Sequence, residues 1–514
     1  MKRTFFIPLF CALTQPLFAQ DPTDALRYSW TIQSGTARQQ AIGGAMTSLG
    51  GDLSAAYVNP AGLAFYKTGD FVLSPGFNLW NNKATYLGRA EKDSRKYLSF
   101  GATGLVLGQG EDKDRRGRKN SSAFAFAVNR SGNFGQNILY RGANNQSSYS
   151  HKFLEEINGI GDANAVAGNY PFSSSLAFNT YWIDTINGGS NGNYQFQTRA
   201  PFSSGLLQEN VITSTGGLTE MALAFAGSRN DKLFYGFTLG VPFLQYDRES
   251  VFTEADAGTN PNNNFDYASI TQNLNTKGTG LNLKMGMIYK PSEFVRLGFA
   301  FHSPSFYRLT DRYSASVTTN TEGYKGILTQ ESSLFTNGTD GQFSYWMFSP
   351  YRIMAGASYV LREIEDVRKQ KGFLTADIEY VNYKAASYTT DPEGDDSPET
   401  KAYLKSLNKA IDQAYKGAIN VRAGGELKFT TLMVRLGAAY YGNPYKDIAG
   451  ENGHRFQLSG GLGYRNKGIF VDLAYVHTMG KDTDFAYRLQ NRPFSAAVLK
   501  QTGGNVLLTL GFKI

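Results

Sequence analysis

From about residue 70 to the C-terminus, apolar and polar positions alternate. In HRFQLSGGLGYR, Phe456, Leu458, Leu462 and Tyr464 share one parity, and Arg455, Gln457, Ser459 and Arg465 take the other. In AINVRAGGELKF, Ile419, Val421, Ala423, Leu427 and Phe429 oppose Asn420, Arg422, Glu426 and Lys428. The last ten residues, NVLLTLGFKI, set Val506, Leu508, Leu510, Phe512 and Ile514 on one face. A period of two predicts strands with one apolar and one polar face. Fourteen such segments are expected, starting near residues 70, 95, 120, 216, 232, 265, 293, 341, 371, 417, 431, 454, 468 and 495. Short connections (SRND near 229, KPSE at 290–293, FTT at 429–431, RNKG at 465–468) alternate with long ones at 142–214, 320–340, 388–416 and 478–494. The charged connections 109–119 and 363–371 are longer than the short side favours. An even strand number with alternating short and long hairpins predicts an all-β fold, a 14-stranded antiparallel transmembrane β-barrel. The alternative is a soluble sandwich or propeller. Against it stand the long strands, where a sandwich uses about five or six residues each, and the lack of a repeated blade motif.

The residues before the first strand read differently. The stretch 35–64, GTARQQAIGGAMTSLGGDLSAAYVNPAGLA, is rich in Gly and Ala, with helical fragments and turns. Gly43-Gly44 and Gly50-Gly51 permit close backbone packing. Asp52 is expected to cap a short helix through Tyr57. Asn59 is expected to cap the next, with Pro60 at its first position, where a missing N–H costs nothing. Fourteen strands leave a lumen wider than wall side chains fill, so residues 20–67 are expected to plug a barrel formed by 68–514.

Composition sets the compartment. Lys2 and Arg3, the apolar run Phe5–Leu13 and Leu17-Phe18-Ala19 before Gln20 form a secretory signal over residues 1–19. The one cysteine, Cys11, lies inside it, and PLFC lacks the small residues of a lipoprotein signal. Without a further cysteine, no disulfide framework, thiol nucleophile or thiolate metal site is expected. No run of about 18 apolar residues predicts a membrane-spanning helix. The formal charge of +8 becomes +6 without Lys2 and Arg3. That excess suits anionic lipid headgroups. Basic and aromatic residues are not interleaved as a nucleic-acid surface needs.

The run from Ala37-Arg38 through Gly43-Gly44-Ala45, Asp52, Ser54-Ala55 and Asn59-Pro60-Ala61-Gly62 resembles the hatch of the FadL/TodX family of outer-membrane transporters for long-chain fatty acids and other hydrophobic compounds. The segments VRLGFAFHSPSFYRLTDRY (295–313), SPYRIMAGASYV (349–360), FLTADIEYVNY (373–383), VRAGGELKF (421–429) and VRLGAAYYGNPY (434–445) extend the likeness over most of the chain, loops 142–214 and 384–416 excepted. The resemblance implies a hatch-plugged barrel in the outer membrane of a Gram-negative-type bacterium, passing apolar ligands passively. It also implies a third strand kinked inward to open a lateral window to the bilayer.

Several residues are candidates for working parts. In FAFAVNRSGNFGQNILYRG, the alternation of Phe124, Phe126 and Val128 is read as breaking at Asn129, and Gly132, Asn133 and Gly135 follow. Strand glycines mark a bulge or close backbone approach; the resemblance makes this the window, and an ordinary bulge is the alternative. In SPETKAYLKSLNKAIDQAY, Ser397 and Pro398 start a helix whose stripe is Tyr403, Leu404, Leu407 and Ile411. This stripe either captures ligand or packs the helix on the barrel rim. Arg296, Asp377, Glu379, Arg422, Glu426 and Arg435 fall on inward faces, where they either hold the hatch and receive a ligand carboxylate or merely compensate one another in a solvated lumen.

Catalytic signals are weak. GGSNG around Ser190 matches a nucleophile elbow formally but lies in a Gly/Asn loop. His151, His302, His454 and His477 are scattered, and Arg115 and Arg116 spoil a calcium loop begun by Asp112 and Asp114. The expectation is no enzyme and no cofactor. The expected partners are a hydrophobic small molecule, outer-membrane lipid and lipopolysaccharide, and the barrel-assembly machinery. A same-fold scaffold for secreted proteins and a haem receptor are the alternatives.

Overall fold

In the computed structural model, residues 22–32, 34–110, 120–186, 194–258, 260, 262–361, 371–446 and 453–514 are described. The expected signal segment with Cys11, the aspartates Asp112 and Asp114, and Ser190 lie outside them.

Fourteen strands form the wall, six of them in two pieces. They are β1 (Asp70–Leu73 and Pro75–Tyr86), β2 (Arg89–Phe100 and Thr103–Gly110), β3 (Ser121–Asn133 and Gln136–Asn144), β4 (Leu206–Arg229), β5 (Leu233–Asp256), β6 (Tyr267–Tyr289) and β7 (Val295–His302 and Phe306–Asn320). There follow β8 (Gly341–Phe348 and Arg352–Leu361), β9 (Gly372–Asn382 and Ser387–Thr390), β10 (Gly417–Phe429), β11 (Leu432–Tyr441), β12 (Arg455–Asn466), β13 (Ile469–Asp484) and β14 (Ala497–Lys513). Each pairs antiparallel with its neighbour, and β14 closes the ring on β1 through Phe71↔Phe512 and Phe77↔Val506. Closure leaves no free sheet edge around the ring, with one local exception described below.

Alternation gives the wall its two faces. On β9, Leu374, Ile378 and Tyr380 point outward and are exposed, while Phe373, Thr375, Asp377 and Glu379 point inward and are buried. Leu427, Leu436, Leu462, Leu473 and Phe512 continue the outer apolar belt on β10 to β14. A belt of this extent facing water would be an aggregation surface; facing lipid, it makes a transmembrane barrel.

The strands outrun the expected loop limits. β3 reaches Asn144 and β4 begins at Leu206, so 206–214 is strand rather than loop. Likewise β13 runs to Asp484, and the 388–416 connection contains the end of β9 and a helix, Pro398–Ala414. Between β3 and β4, three short helices and a small hairpin pack around Phe153, Leu176 and Trp182, against Phe252, Ile270 and Val317 of the wall and Tyr487 of the last loop. Buried Glu254 ties this cap down by accepting from Tyr149 N (3.1 Å) and Trp182 Nε1 (2.9 Å).

Candidate functional site

Almost every residue from 35 to 66 is buried. This segment bonds to strands all round the ring, an arrangement only the lumen permits. Ala37 N donates to Thr509 Oγ1 (2.8 Å), Gly43 N to Ser459 Oγ (3.0 Å), and Thr47 N and Oγ1 to Asp377 Oδ2 (2.9 and 2.7 Å). From the opposite wall, Thr238 Oγ1 donates to Ala56 O (2.9 Å), and His302 Nε2 lies 2.9 Å from Val58 O. The wall accepts the segment because it presents glycines there. A Cβ on Gly286 would stand 1.8 Å from Asn59 Oδ1, on Gly298 2.0 Å from Thr47 O, and on Gly437 2.1 Å from Gly43 N.

Asn59 and Pro60 start a short 3₁₀ turn, Pro60–Phe65, in which Asn59 Oδ1 accepts from Ala61 N (3.2 Å). Gly62 N closes it on Asn59 O, and Gly62 O accepts from Gly51 N (2.9 and 3.1 Å). The Asn59 amide also reaches three carbonyls: Thr47 O (2.6 Å), Met287 O (3.2 Å) and Phe299 O (3.3 Å). Gly43 and Gly44 hold the left-handed φ values (+69° and +79°) that turn the chain after the first lumen helix, Ala37–Ala41. Asp52 caps the turn leading into the next helix, Ala55–Val58: its Oδ1 accepts from Ser54 N (2.9 Å), as Asn59 Oδ1 does from Ala61 N, and Ala55 N closes on Asp52 O (3.1 Å). It also accepts from Thr36 Oγ1 (2.9 Å), joining two parts of the segment.

Four of the six expected inward charges, Glu379, Arg422, Glu426 and Arg435, fall into two networks. Glu379 accepts from Arg422 (2.8 Å) and Asn420 (3.0 Å) and faces Arg352 (3.4 Å), whose other nitrogen donates to Ser29 O (2.6 Å). Arg435 bridges Glu426 and Asp472 (each 2.6 Å), and Arg38 of the segment approaches Glu426 (3.5 Å). Arg296 lays its guanidinium over the Phe65 ring, 4.7 Å from the centroid. These groups bind wall to wall and wall to segment. Among the described residues, no cluster of His, Cys, Asp or Glu has the arrangement of a metal site.

The third strand is irregular, but not at Asn129. That residue keeps the inward parity of Ala123, Ala125 and Ala127, and its amide donates to Ser34 O (3.2 Å). The register slips between Arg130 and Gly132, and the strand stops at Phe134-Gly135 before resuming at Gln136. Below the break, β2 pairs with β3 from Thr103↔Val128 to Gly110↔Ser121. Above it, Arg89–Phe100 pairs with β1 and Gln136–Asn144 with β4, and no ladder joins them to each other among the described residues. Side chains cross this gap: Arg141 to Glu91 (2.8 Å) and Arg95 to Asn137 (3.0 Å). The Tyr97 ring lies 3.1 Å from where a Cβ of Gly135 would stand. Phe134 turns inward against Tyr28 and Tyr246 (centroids 5.9 and 5.5 Å), pinning the kink to the start of the chain.

Behind the gap lies a cavity of about 300 Å³, lined by Trp30, Trp80, Tyr97, Phe134, Gly135 and Leu499 among others. Arg455 stacks on Trp30 (3.6 Å), so part of the cavity's charge is laid flat against an aromatic face. The structure thus brings Gly132, Asn133 and Gly135 to one luminal cavity. Phe134, Tyr97 and Trp80 join them there, unmarked in sequence except that Phe134 sits between Asn133 and Gly135. The helix stripe goes elsewhere. Leu404, Leu407 and Ile411 are buried with Leu26, Tyr28 and Tyr383, and Tyr403 packs at the margin. The stripe seats its helix on the rim.

No family model and no curated protein matches the chain. Among solved structures, a Pseudomonas aeruginosa FadL homologue aligns over 94% of this chain and 99% of its own, with a TM-score of 0.51 and 13% identity. The fold is that of the FadL-type barrels. The Pseudomonas putida toluene transporter TodX aligns over 94% of this chain and 99% of its own, with a TM-score of 0.50 and 13% identity. At that identity the FadL-type likeness is one of architecture, carried by few shared residues.

Proposed function

We propose that this protein is an outer-membrane channel for the passive uptake of hydrophobic small molecules, released sideways into the bilayer between β2 and β3. The observation that carries the reading is the missing upper ladder between these strands, set against a cavity of mixed lining in which Trp80, Tyr97 and Phe134 stand beside polar and charged groups such as Arg130, Asp482 and Asp484. In a closed barrel every lost ladder bond is a cost, because lipid offers no substitute partner. A stretch spanned by side chains alone can part without unzipping the ring. The segment 35–66 is the plug: it fills the lumen beside the cavity, so axial passage is obstructed and the lateral route remains. The TodX likeness supports a hydrophobic ligand, and the cavity lies at the small end of ligand pockets, roughly 300–1,000 Å³. That size favours a one- or two-ring hydrocarbon, or part of an acyl chain, over a fully enclosed long-chain fatty acid.

The test is uptake into liposomes of a labelled monoaromatic probe and a labelled long-chain fatty acid. Gly135→Val presses a branched side chain on Tyr97 and should slow release at least tenfold, while binding to the folded barrel persists. Tyr97→Ala clears the gap and should speed release. Normal uptake by Gly135→Val, or no uptake of either probe by the unaltered protein, rejects the channel reading.

A further inference from the structure

The outer face of the wall carries a second ordered feature, above the apolar belt. Lys92 on β2 stands directly opposite Lys83 on β1, Lys83 opposite Lys500 on β14, and Lys500 opposite Lys481 on β13. All four are exposed, on the outward parity of their strands. Strands lie about 4.8 Å apart, so the four Cα positions span about 14 Å in one row. Lys96 is exposed on the same face of β2. Six residues along the same strands, about 20 Å, lie Leu98, Phe77, Val506 and Tyr475 of the lipid-facing belt, and the loop ends of the strands lie on the other side. Among the described residues, none of the five lysines has an ion-pair partner.

Like charges directly opposite on neighbouring strands oppose pairing. Four in register therefore ask for a counter-charge that bridges several strands. Lysines on an exposed edge can serve to block edge-to-edge pairing. That accounts for Lys92 and Lys96, which border the gap, and for Lys481, one residue past the end of the β12 ladder, but not for Lys83 and Lys500, which are paired on both sides. Position and chemistry point to the same occupant: the row lies on the long-loop side of the apolar belt, the side on which a barrel with its long loops outward meets anionic headgroups. We propose that the row Lys92–Lys83–Lys500–Lys481 binds the multiply phosphorylated headgroup of one outer-leaflet lipid, seating its acyl chains on the belt beside the β2–β3 gap. The inference rests on the transmembrane barrel and is independent of what the cavity carries.

The experiment is native mass spectrometry of the full chain in detergent, with bisphosphorylated lipid A, the same lipid without phosphates, and inorganic pyrophosphate as separate probes. The variants are the quadruple Lys83→Gln/Lys92→Gln/Lys481→Gln/Lys500→Gln, the matching quadruple Arg substitution, and Lys467→Gln on the opposite rim. Each is first checked for folding by heat-modifiable gel migration. The unaltered protein, the Arg variant and Lys467→Gln should retain one lipid A bisphosphate. The Gln variant should lose it by roughly tenfold or more, as expected when four cations leave an anionic surface, and the gap should narrow at high salt. Equal retention by the folded Gln variant overturns the proposal, as does equal retention of the phosphate-free lipid. Pyrophosphate binding without lipid retention overturns the lipid as occupant. None of these outcomes changes the liposome uptake result, so the two readings fail separately.

Discussion

Replacing Asn59 by Ala removes a cap and an amide donor at once, in a fully buried position. The cap on Ala61 N is worth about 0.5–2 kcal/mol. The amide has two hydrogens for three carbonyls, so one is shared, and two net hydrogen bonds add about 0.5–1.5 kcal/mol each. Together the substitution should loosen the seat of the segment by about 1.5–5 kcal/mol, which is roughly tenfold to several thousandfold in its opening equilibrium. The wall should hold, because Met287 and Phe299 belong to paired strands. Hydrogen exchange followed by mass spectrometry reads this directly: peptides covering 37–66 should lose protection by that factor, while those covering 417–441 stay unchanged. Asn59→Asp separates the two contributions. It keeps an acceptor for Ala61 N but turns a carboxylate toward three carbonyls, so it should be worse than Ala despite its shape. Unchanged protection in Asn59→Ala, or an Asp variant as protected as the parent, would refute the assignment of the amide as the pin.

Two further outcomes follow from charge and burial. Arg422→Met leaves the buried Glu379 charge with the neutral Asn420 bond and, among cations, only the longer Arg352 contact, so unfolding in detergent should show a loss of about 3–5 kcal/mol, mostly recovered in Arg422→Met/Glu379→Met; a double variant no better than the single one would contradict the pairing. In the cap, burial and the nearby Arg492 cation hold His151 down to about 4 from the usual 6.5, and its Nδ1 accepts from Ser148 N at 3.0 Å. Because the folded form resists a proton the unfolded form takes up, cap stability should be full above pH 6.5 and fall as pH drops towards 4. Titration of the labelled imidazole should show a midpoint below 5, and one near 6.5 would refute the buried neutral ring.

The strands were legible where one face meets lipid, since apolar and polar residues must then alternate. They became illegible above the belt. Residues 206–215 read as loop because Glu209, Thr213 and Thr215 outward and Gln208, Asn210 and Ser214 inward are polar on both faces, yet they pair without interruption. Asn59-Pro60 could be read from local rules because a cap needs only its own neighbours. Asp52 followed the same rule for its own turn, but its second partner, Thr36, 16 residues away, is one the rule cannot see. The grip of Asp377 on Thr47 spans 330 residues and has no local signature. The kink on β3 was legible as Gly132, Asn133 and Gly135, but the loss of alternation was read too early, at Asn129, because alanines across the inward face hid the parity. Its anchor, Phe134, was missed because an aromatic residue in an alternating strand reads as lipid-facing.

The bond from Ala37 N to Thr509 Oγ1 joins positions 472 residues apart. It makes the beginning of the folded chain wait for nearly its end. The luminal segment cannot acquire its seat until β14 is present, and β14 cannot close on β1 without enclosing whatever occupies the lumen. Contacts of such sequence separation are slow to form, so early residues stay uncommitted through most of assembly. Their small, Gly/Ala-rich composition suits that interval: little apolar surface is shown while they wait, and little side-chain bulk must be reordered as the ring shuts around them.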